Sequence, residues 1–381
     1  MNDAINFLFA GDLTLGGEFI PYATKNNYEV LHPFKLIKPY TDDADIFFVN
    51  LEGPIFEGPE RRPDVTVTLS NHLSVLKLLK NSTICVVNLA NNHTLDYGEK
   101  GLKETIKLLQ QSGIYYVGAG INEEEANREL IIQHKGKRIG FLAYTSNEPH
   151  IGAILAGPLQ AGCASYLEPE KVIKKIQSLK TKTDLICVSL HWGYEYFLYP
   201  SNEQVSIAHA LIDAGAHYVI GHHPHVIQGV EKYRNSLILY SLGNFFMPPI
   251  RAVSGRLQPT KLISKKFLLV NSEINQSCNL NYSLIGGRVN DNYMITPFEN
   301  HNQAICNSEI EKLSAPLDLN NYIDFWLNYK SKREKELKKE SFIEAYRKAF
   351  MMSFKELIRT ITFRDIKRNA IRLMNILLRF K

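Results

Sequence analysis

The chain has 381 residues, of which 45% are hydrophobic and 22% are charged, and its formal net charge is +5 at pH 7. These proportions are those of a globular protein and exclude a disordered or fibrous chain. The charge also argues against a nucleic-acid binder, because it is modest and much of the excess lysine and arginine lies beyond residue 330.

The cysteines and the N-terminal segment indicate the compartment. The five cysteines are scattered and form no CxxC pair, which is typical of a reducing environment. The N-terminal segment has no basic region before its short apolar run, so no secretory signal is predicted. No stretch approaches the ~20 apolar residues of a membrane-spanning helix. The sequence therefore predicts a cytoplasmic protein.

In chain order, the first 250 residues alternate between strand-like and helix-like segments. Amphipathic segments over 99–113 and 201–215 predict helices that end at glycine. This alternation predicts an α/β fold with a largely parallel sheet. Short apolar runs rich in β-branched and aromatic residues predict buried strands at 5–11, 45–50, 84–90, 184–192 and 217–225.

The remaining segments complete the predicted domain. Two strands over 129–134 and 139–145 predict a hairpin, and a further strand is predicted over 236–246. Beyond residue 250 the pattern weakens to β-like fragments and then becomes helical and charged. We therefore predict a catalytic domain over 1–250, a β-rich closing segment of the same domain over 251–315, and a helical basic C-terminal extension over 316–381.

The end of the extension predicts a basic amphipathic helix. In 364–381 apolar residues recur at helical spacing among six lysines and arginines. Such a helix could lie on an anionic membrane surface. The alternative, which we favour, is that its apolar stripe docks on the catalytic domain or on a second copy of the chain. The sequence thus leaves peripheral membrane contact and oligomerisation open.

Each of the five predicted strands ends in polar side chains that can bind a metal ion. The carboxyl ends of strands are where ligand sites form in open α/β sheets. Carboxylates, amides and imidazoles suit a divalent ion such as Mn, Fe or Zn. If the last segment is extended, two of its histidines share a face. The strand-end residues are Asp12, Asn50 with Glu52, Asn92 with His93, His191, and His223 with His225.

A set of motifs carries a family resemblance. GDLTLGG, NLEGP, ANNHTLDYG, LHWGYEY, GHHPHVIQG and YSLGNF follow in this order over residues 5–247. Together they resemble the bacterial capsule-synthesis family, also called CapA or poly-gamma-glutamate capsule synthesis proteins. That family is similar to the calcineurin-like metallophosphoesterases. The resemblance implies a two-sheet sandwich flanked by helices.

The resemblance also implies roles for individual residues. The site would hold one or two divalent ions. Asp12 would bind one of them, and Glu52 would be the bridging carboxylate. His93 would act catalytically on a substrate oxygen. The usual first-strand histidine is replaced by Thr14, and the usual bridging aspartate by Glu52, so one metal position should be weaker or take a different ion. The remaining ligands implied by the resemblance are Asn92, His191, His223 and His225.

Several residues keep a structural alternative. Taken alone, Asp12 could be a turn or helix-cap residue. Asp96 could orient the His93 ring, or it could equally cap the helix that begins near Tyr97. Four secondary candidates could reach the site or hold loops around it: Asn50, His222, Glu195 and Asn244.

The predicted function is that of a metal-dependent hydrolase. It would cleave a phosphoester or a related anionic ester or amide, because a divalent ion makes a nucleophile from water near neutral pH. The substrate would be an anionic small molecule or polymer and not a nucleic acid. The family resemblance implies a link to capsule or another anionic envelope polymer, such as poly-gamma-glutamate or a polysaccharide. The alternative is a non-catalytic component of a capsule polymer synthesis or export assembly.

Overall fold

Two β-sheets lie at the centre of a computed structural model of the protein, which describes residues 4–275 and 277–340. The chain divides into two compact units, Met1–Tyr322 and Ile323–Lys381. Both sheets belong to the first unit.

Helix is the only regular structure described in the second unit, where it covers 323–340. The predicted basic amphipathic helix over 364–381 lies outside the described residues. Among the helices that are described, none combines the length and the apolarity that crossing a bilayer requires.

The strands of the first unit are short and mostly buried. Their sequences are rich in isoleucine, valine and phenylalanine, which fit the pleated, buried surface of a sheet. In chain order they are β1 Ile5–Leu13, β2 Ile46–Leu51, β3 Ile84–Asn88, β4 Tyr115–Val117, β5 Ala119–Gly120, β6 Leu130–His134, β7 Lys137–Tyr144, β8 Gly162–Cys163, β9 Leu185–His191, β10 Tyr218–His222, β11 Val230–Tyr233, β12 Ser236–Leu239, β13 Asn244–Phe246, β14 Ile250–Arg251, β15 Leu257–Gln258, β16 Lys266–Ile274, β17 Leu280–Val289 and β18 Ile295–Pro297.

Helices connect many of these strands. The helix predicted over 201–215 is confirmed and begins at a capping box, in which Ser201 and Gln204 satisfy each other's backbone amides. It ends at Gly215, whose positive φ of 123° suits glycine. The helices are α1 Phe19–Lys25, α2 Lys38–Asp43, α3 Val75–Leu79, α4 Gly98–Gln111, α5 Glu123–Ala126, α6 Pro169–Lys180, α7 Asn202–Ala214 and α8 Asn300–Ser314, with 3-10 turns at His32–Phe34, Leu262–Lys265 and Ala315–Asp318.

The first sheet has the strand order β18-β17-β16-β1-β2-β3-β4, and β13 also pairs with β1. Strands β1 to β4 run parallel, as the alternation of strands and helices predicts. Strands β16, β17 and β18 extend the sheet in antiparallel order. The weakly patterned segment beyond residue 250 therefore completes the first sheet.

The second sheet has the order β11-β12-β10-β9-β7-β6. Its four inner strands run parallel, and β6 and β11 are antiparallel edge strands. The pairing of β6 with β7 confirms the predicted hairpin. Two further small sheets pair β5 with β8 and β14 with β15.

The two large sheets pack face to face through aromatic side chains. The Tyr218 ring of β10 lies 5.2 Å from the Phe7 ring and 4.9 Å from the Phe9 ring of β1. Phe48 of β2 stacks on Phe141 of β7 at 6.1 Å. These rings belong to one continuous buried cluster. The prediction of an α/β two-sheet sandwich with flanking helices is confirmed.

The strand predicted over 236–246 is wrong as one strand, because the chain changes sheets within it. β12 pairs with β10 in the second sheet, and β13 pairs with β1 in the first. The change occurs around Gly243, whose positive φ of 69° a side chain would disfavour. A Cβ at Gly11 would lie 1.9 Å from the carbonyl oxygen of Gly243, so only glycine allows this close approach. The contact fixes the end of β1 beside the crossing segment.

Candidate metal centre

The carboxyl ends of both sheets meet at one rim of the sandwich. In the first sheet Asp12 pairs in register with Asn50 of β2 and with Asn244 of β13. In the second sheet His191 of β9 pairs in register with His222 of β10. All five side chains are buried. The backbone NH of His223 also lies 3.4 Å from Asp12 Oδ2, and this contact links the two sheets at the rim.

Asp12, Glu52 and His225 form the first half of the centre. Each offers one potential ligand atom, and these atoms lie within 4.8 Å of one another. Nδ1 of His225 is 2.9 Å from Asn244 Oδ1 and 3.3 Å from Asp12 Oδ2. Its Nε2 is therefore the nitrogen that faces Glu52, at 3.8 Å from Oε1. Two carboxylates and one imidazole are a suitable ligand set for a divalent cation.

Glu52 indicates most directly that a cation belongs here. Its side chain is fully buried, and neither carboxylate oxygen has a hydrogen-bond partner. Such a group is costly unless something of opposite charge satisfies it. The residues present thus fit a divalent metal ion.

Asn92, His191 and His223 form the second half. His191 Nε2 lies 2.9 Å from Asn92 Oδ1, and the His191 and His223 rings are 4.7 Å apart. Nε2 of His223 lies 3.2 Å from the carbonyl oxygen of His150, whereas its buried Nδ1 has no hydrogen-bond partner. The half offers an amide oxygen and two imidazoles but no carboxylate of its own.

Asn50 stands between the two halves. Its amide nitrogen donates to Asp12 Oδ1 at 2.8 Å and lies 3.5 Å from His191 Nδ1. Its Oδ1 accepts from the amides of Asn88 and Asn91 at 3.1 and 3.2 Å, which fixes the orientation of the side chain. An amide thus lies between Asp12 of the first half and His191 of the second.

Glu52 and Thr14 are the two residues that depart from the usual motif. Glu52 belongs to the first half, and Thr14 contacts the backbone of Glu52. Nε2 of His93 is 3.9 Å from Glu52 Oε1, on the cleft side of the carboxylate. The Thr14 hydroxyl donates to the backbone carbonyl of Glu52 at 2.9 Å, so it holds the chain at that position.

His93 and Asp96 form a tight pair beside Glu52. His93 Nδ1 lies 2.6 Å from Asp96 Oδ2, and the same oxygen accepts the backbone NH of Leu69 at 2.7 Å. The N-cap residue of α4 is Tyr97, and no side chain caps it. Of the two alternatives for Asp96, the geometry matches orientation of the His93 ring.

The two candidate ligand histidines of the last motif do not share a face for the predicted reason. The predicted strand over 217–225 ends at His222, and both His223 and His225 have positive φ, at 96° and 56°. They converge through a strained turn, with ring centroids 5.9 Å apart, and not through an extended strand. Such strain in non-glycine residues costs about 1–3 kcal/mol each and clusters at functional sites.

The secondary candidates divide into buried neighbours and one exposed residue. His222 Nδ1 lies 3.3 Å from Asp12 Oδ1, and its ring stacks on Phe48. Asn244 orients His225, as described above. Glu195 is exposed and lines the cleft outside the centre.

Charges within the centre shift the pKa values of its members. Burial and the Asp12 charge raise the pKa of Glu52 to about 7, against the opposing effect of His225. Burial lowers the pKa of His225, but Glu52 and Asp12 outweigh it and raise the value to about 10. Burial would also raise the pKa of Asp12, yet the imidazoles of His222 and His225, each 3.3 Å from a carboxylate oxygen, hold it well below its usual range. Without metal, the first half therefore retains protons at neutral pH.

In the second half of the centre the pKa values are lowered. Burial, reinforced by the charge of His223, holds the pKa of His191 well below its usual value. Burial likewise lowers the pKa of His223 to about 4. Both imidazoles are therefore neutral at pH 7, as a metal ligand must be.

A comparison with protein families identifies the chain. The family model described as "Bacterial capsule synthesis protein PGA_cap" matches residues 6–248, which include every candidate ligand. The chain belongs to this family. The resemblance carried by the sequence motifs is confirmed.

Curated relatives agree with this PGA_cap membership. The capsule biosynthesis protein CapA of Bacillus anthracis is 34% identical over 251 residues, which are 64% of this chain and 60% of that protein. The PGA biosynthesis protein CapA of Bacillus subtilis is 30% identical over 246 residues, 64% of this chain and 63% of that protein. A probable polyglutamine synthesis accessory protein of Mycobacterium tuberculosis is 31% identical over 214 residues, 53% of this chain and 55% of that protein. The match thus spans less than two thirds of the length of these relatives.

Solved structures overlap more loosely. A novel phosphatase from Mycoplasma pneumoniae has a TM-score of 0.47 and 16% identity, over 78% of this chain and 95% of that chain. A putative 5'-nucleotidase from Staphylococcus aureus has a TM-score of 0.44 and 16% identity, over 81% of this chain and 58% of that chain.

A cleft of about 590 Å³ opens beside the first half of the PGA_cap centre. Glu52, His93, His225 and Tyr196 are among the residues that line it. Part of its wall, including Lys261, lies beyond the segment that the family model matches. Tyr196 ends the LHWGYEY motif, but no pattern in the sequence marks it as a cleft residue, and Lys261 belongs to none of the motifs.

Proposed function

We propose that the protein is a metal-dependent hydrolase that acts on a phosphoester or a related anionic ester or amide. Glu52 is the observation that carries this proposal, since its buried carboxylate has no hydrogen-bond partner and faces Asp12, His225 and a cleft. If Glu52 had only a structural role, we would expect its charge to be paired or a neutral residue to stand in its place. The charge is therefore retained for a bound cation.

The two halves of the centre have separate parts in this proposal. Asp12, Glu52 and His225 would hold one divalent ion such as Mn, Fe or Zn. If a second ion binds, the second half would hold it through Asn92, His191 and His223. A divalent cation bound here would act as a Lewis acid toward an anionic substrate oxygen and would make water more acidic.

His93 would supply a proton to the leaving oxygen. Burial alone lowers its pKa, but the Asp96 carboxylate outweighs this effect and raises the pKa above its usual value, which favours the protonated ring. Because Asp96 holds Nδ1, the other nitrogen faces Glu52 and the cleft. His93 is thus positioned as a general acid.

The biological setting of the substrate follows from the family. Relatives carry names that refer to capsule, PGA or polyglutamine biosynthesis. We infer that this chain acts on an anionic small molecule or polymer of that kind of pathway. A cytoplasmic enzyme held at the membrane surface through its basic C-terminal extension would be placed beside envelope-polymer machinery.

A non-catalytic role in a polymer synthesis assembly is the second candidate. The amide of Asn50 between the two halves favours it, because an amide is a weaker ligand than a carboxylate and would not bridge two cations as one does. In that case the centre would hold a single ion for stability or for polymer binding.

Metal analysis and a hydrolase screen together test the proposal. We expect protein purified without chelator to contain a divalent metal and to bind Mn²⁺ in calorimetry. We also expect it to hydrolyse an anionic ester such as 4-nitrophenyl phosphate or its bis-ester. Asp12→Asn should lose both properties, whereas Asp213→Asn, which changes an exposed carboxylate paired with Arg234, should keep them. Wild-type protein that binds no metal would overturn the proposal, and tight metal binding without hydrolysis across the screen would favour the non-catalytic role.

A further inference from the structure

Lys261 lies close to the candidate centre on the far wall of the cleft. Its Nζ is 3.7 Å from the centroid of the Tyr196 ring, and the Tyr196 ring is 6.3 Å from the His225 ring. A single aromatic ring therefore separates the ammonium group from a candidate metal ligand. Lys261 is half-buried, and within residues 4–275 and 277–340 no carboxylate forms an ion pair with it.

Tyr196 is held in place for this contact at an energetic cost. Its φ is 64°, which is unusual for a residue with a bulky side chain. Its backbone NH donates to the carbonyl oxygen of Pro224 at 2.8 Å, between the two strained histidines. Strain that persists in this way indicates a functional constraint. Here the constraint ties the position of the tyrosine face to that of the centre.

Apart from the imidazoles of the candidate centre, Lys261 is the cationic side chain that the structure describes in the cleft. Among the lining residues that the structure describes, Lys261 is the only lysine or arginine. Asp64 is already paired with Arg62 at 2.6 Å, and Glu52 faces the candidate ligands. Glu195, the third carboxylate of the lining, is exposed and forms no ion pair with Lys261 among the described residues. An ammonium group seated on an aromatic face is attracted to the ring and held in one place, so it is pre-organised for an anion.

We propose that Lys261 binds a second negative charge of the substrate, remote from the bond that is cleaved. The substrate class is then a phosphoric ester, or a related anionic ester, whose other part is itself anionic. This inference rests on the proposed hydrolase function. Because Lys261 lies outside the segment of the family match, it would distinguish the specificity of this chain within a shared centre.

Two phosphonates that cannot be hydrolysed provide the test. Phenylphosphonate carries one anionic group, and 4-phosphonobenzoate carries a distal carboxylate in addition. Calorimetry with Mn²⁺-loaded protein should show that 4-phosphonobenzoate binds about tenfold more tightly, as expected of one charged hydrogen bond. Lys261→Met should remove this preference and leave phenylphosphonate binding unchanged, whereas Lys261→Arg should keep it.

Lys265→Met is the matched control. Lys265 lies four residues further along, but it is paired with Asp291 at 2.6 Å, so its loss should leave the preference intact. A preference that survives Lys261→Met would overturn the inference, as would the absence of binding by both phosphonates. Equal weakening of both probes would also overturn it, since Lys261 would then only neutralise cleft carboxylates.

The hydrolysis of 4-carboxyphenyl phosphate separates the two proposals. If this ester is not cleaved while the binding preference still depends on Lys261, the hydrolase proposal fails and the assignment of Lys261 as an anion-binding residue stands. If the ester is cleaved but Lys261→Met leaves its KM unchanged relative to phenyl phosphate, the assignment of Lys261 fails and the hydrolase proposal stands.

Discussion

Replacement of Glu52 by glutamine should stabilise the metal-free protein at high pH while it weakens metal binding. The side chain is buried, and its two oxygens have no hydrogen-bond partners. Burial, followed by the Asp12 charge, raises its pKa from 4.5 to about 7 even though His225 opposes the rise. Glutamine keeps the shape of the side chain but removes the charge, so the cost of ionising a buried carboxylate disappears.

The magnitude follows from the pKa difference between the folded and unfolded states. A group whose pKa is raised by folding lowers stability as pH rises from below the unfolded value, and the loss is complete above the folded value. A rise from 4.5 to about 7 corresponds to about 3 kcal/mol at ~1.4 kcal/mol per pKa unit. The buried amide of glutamine costs about 1–3 kcal/mol of its own, but equally at every pH.

The pH dependence reports the carboxylate as long as His225 keeps its proton in the variant, which the contact with Asp12 favours. From about pH 5 to about pH 8, the unfolding free energy of Glu52→Gln relative to wild type should rise by about 2–3 kcal/mol. Urea unfolding in the presence of EDTA, followed by circular dichroism, measures this difference. Glu195→Gln is the matched control, because Glu195 is exposed on the same cleft. A difference that does not change with pH would refute the reasoning, as would wild-type Mn²⁺ affinity in the Glu52 variant.

Four further predictions concern the centre and the extension. The raised pKa values of Glu52 and His225 leave protons on the metal-free site at neutral pH, so Mn²⁺ binding should release about one to two protons and tighten as pH rises. Calorimetry in two buffers of different ionisation enthalpy measures this release, and equal heats in the two buffers would contradict the prediction. Asp12→Ala should lose metal binding and activity with an unchanged circular dichroism spectrum, and turnover at the wild-type rate would remove Asp12 from the ligand set. His93→Ala should lower turnover more than metal content, whereas equal losses would make His93 a ligand. If the basic C-terminal segment binds membranes, flotation with anionic liposomes at low salt should be lost in a chain that ends after residue 360, and identical behaviour of the two chains would exclude membrane binding by that segment.

The rim of the sandwich could be predicted from sequence because parallel strands obey a simple rule. Asp12 and His191 end apolar runs, and parallel pairing in register brings such ends to one edge. The capping box at Ser201 fixed the start of a helix in the same local way. Features that depend on the neighbouring few residues were therefore accessible without a structure.

The sequence could not show whether Asn50 or Glu52 lies between the two halves of the centre. Asn50 and Glu52 are two residues apart, so alternation along a strand puts them on the same face and cannot rank them. β2 ends at Leu51, and this ending leaves Asn50 in the sheet between Asp12 and His191 while Glu52 turns toward the cleft. The strand ending is set by tertiary contacts, such as the one from Thr14 to the Glu52 carbonyl. A single residue at a strand end thus decides which side chain lies between the two halves.

Strain explains why His223 and His225 converge although they do not lie on an extended strand. Left-handed conformations of non-glycine residues are unfavourable, so sequence patterns favour an extended segment for His223 and His225. The structure instead has positive φ at both, and also at Tyr196, whose backbone NH is hydrogen-bonded to Pro224 between them. Three strained residues in one hydrogen-bonded unit together cost several kcal/mol that packing elsewhere must offset. The same unit orients two candidate ligands and presents the ring that carries Lys261, so strain that no local pattern predicts couples the candidate metal centre to the cleft beside it.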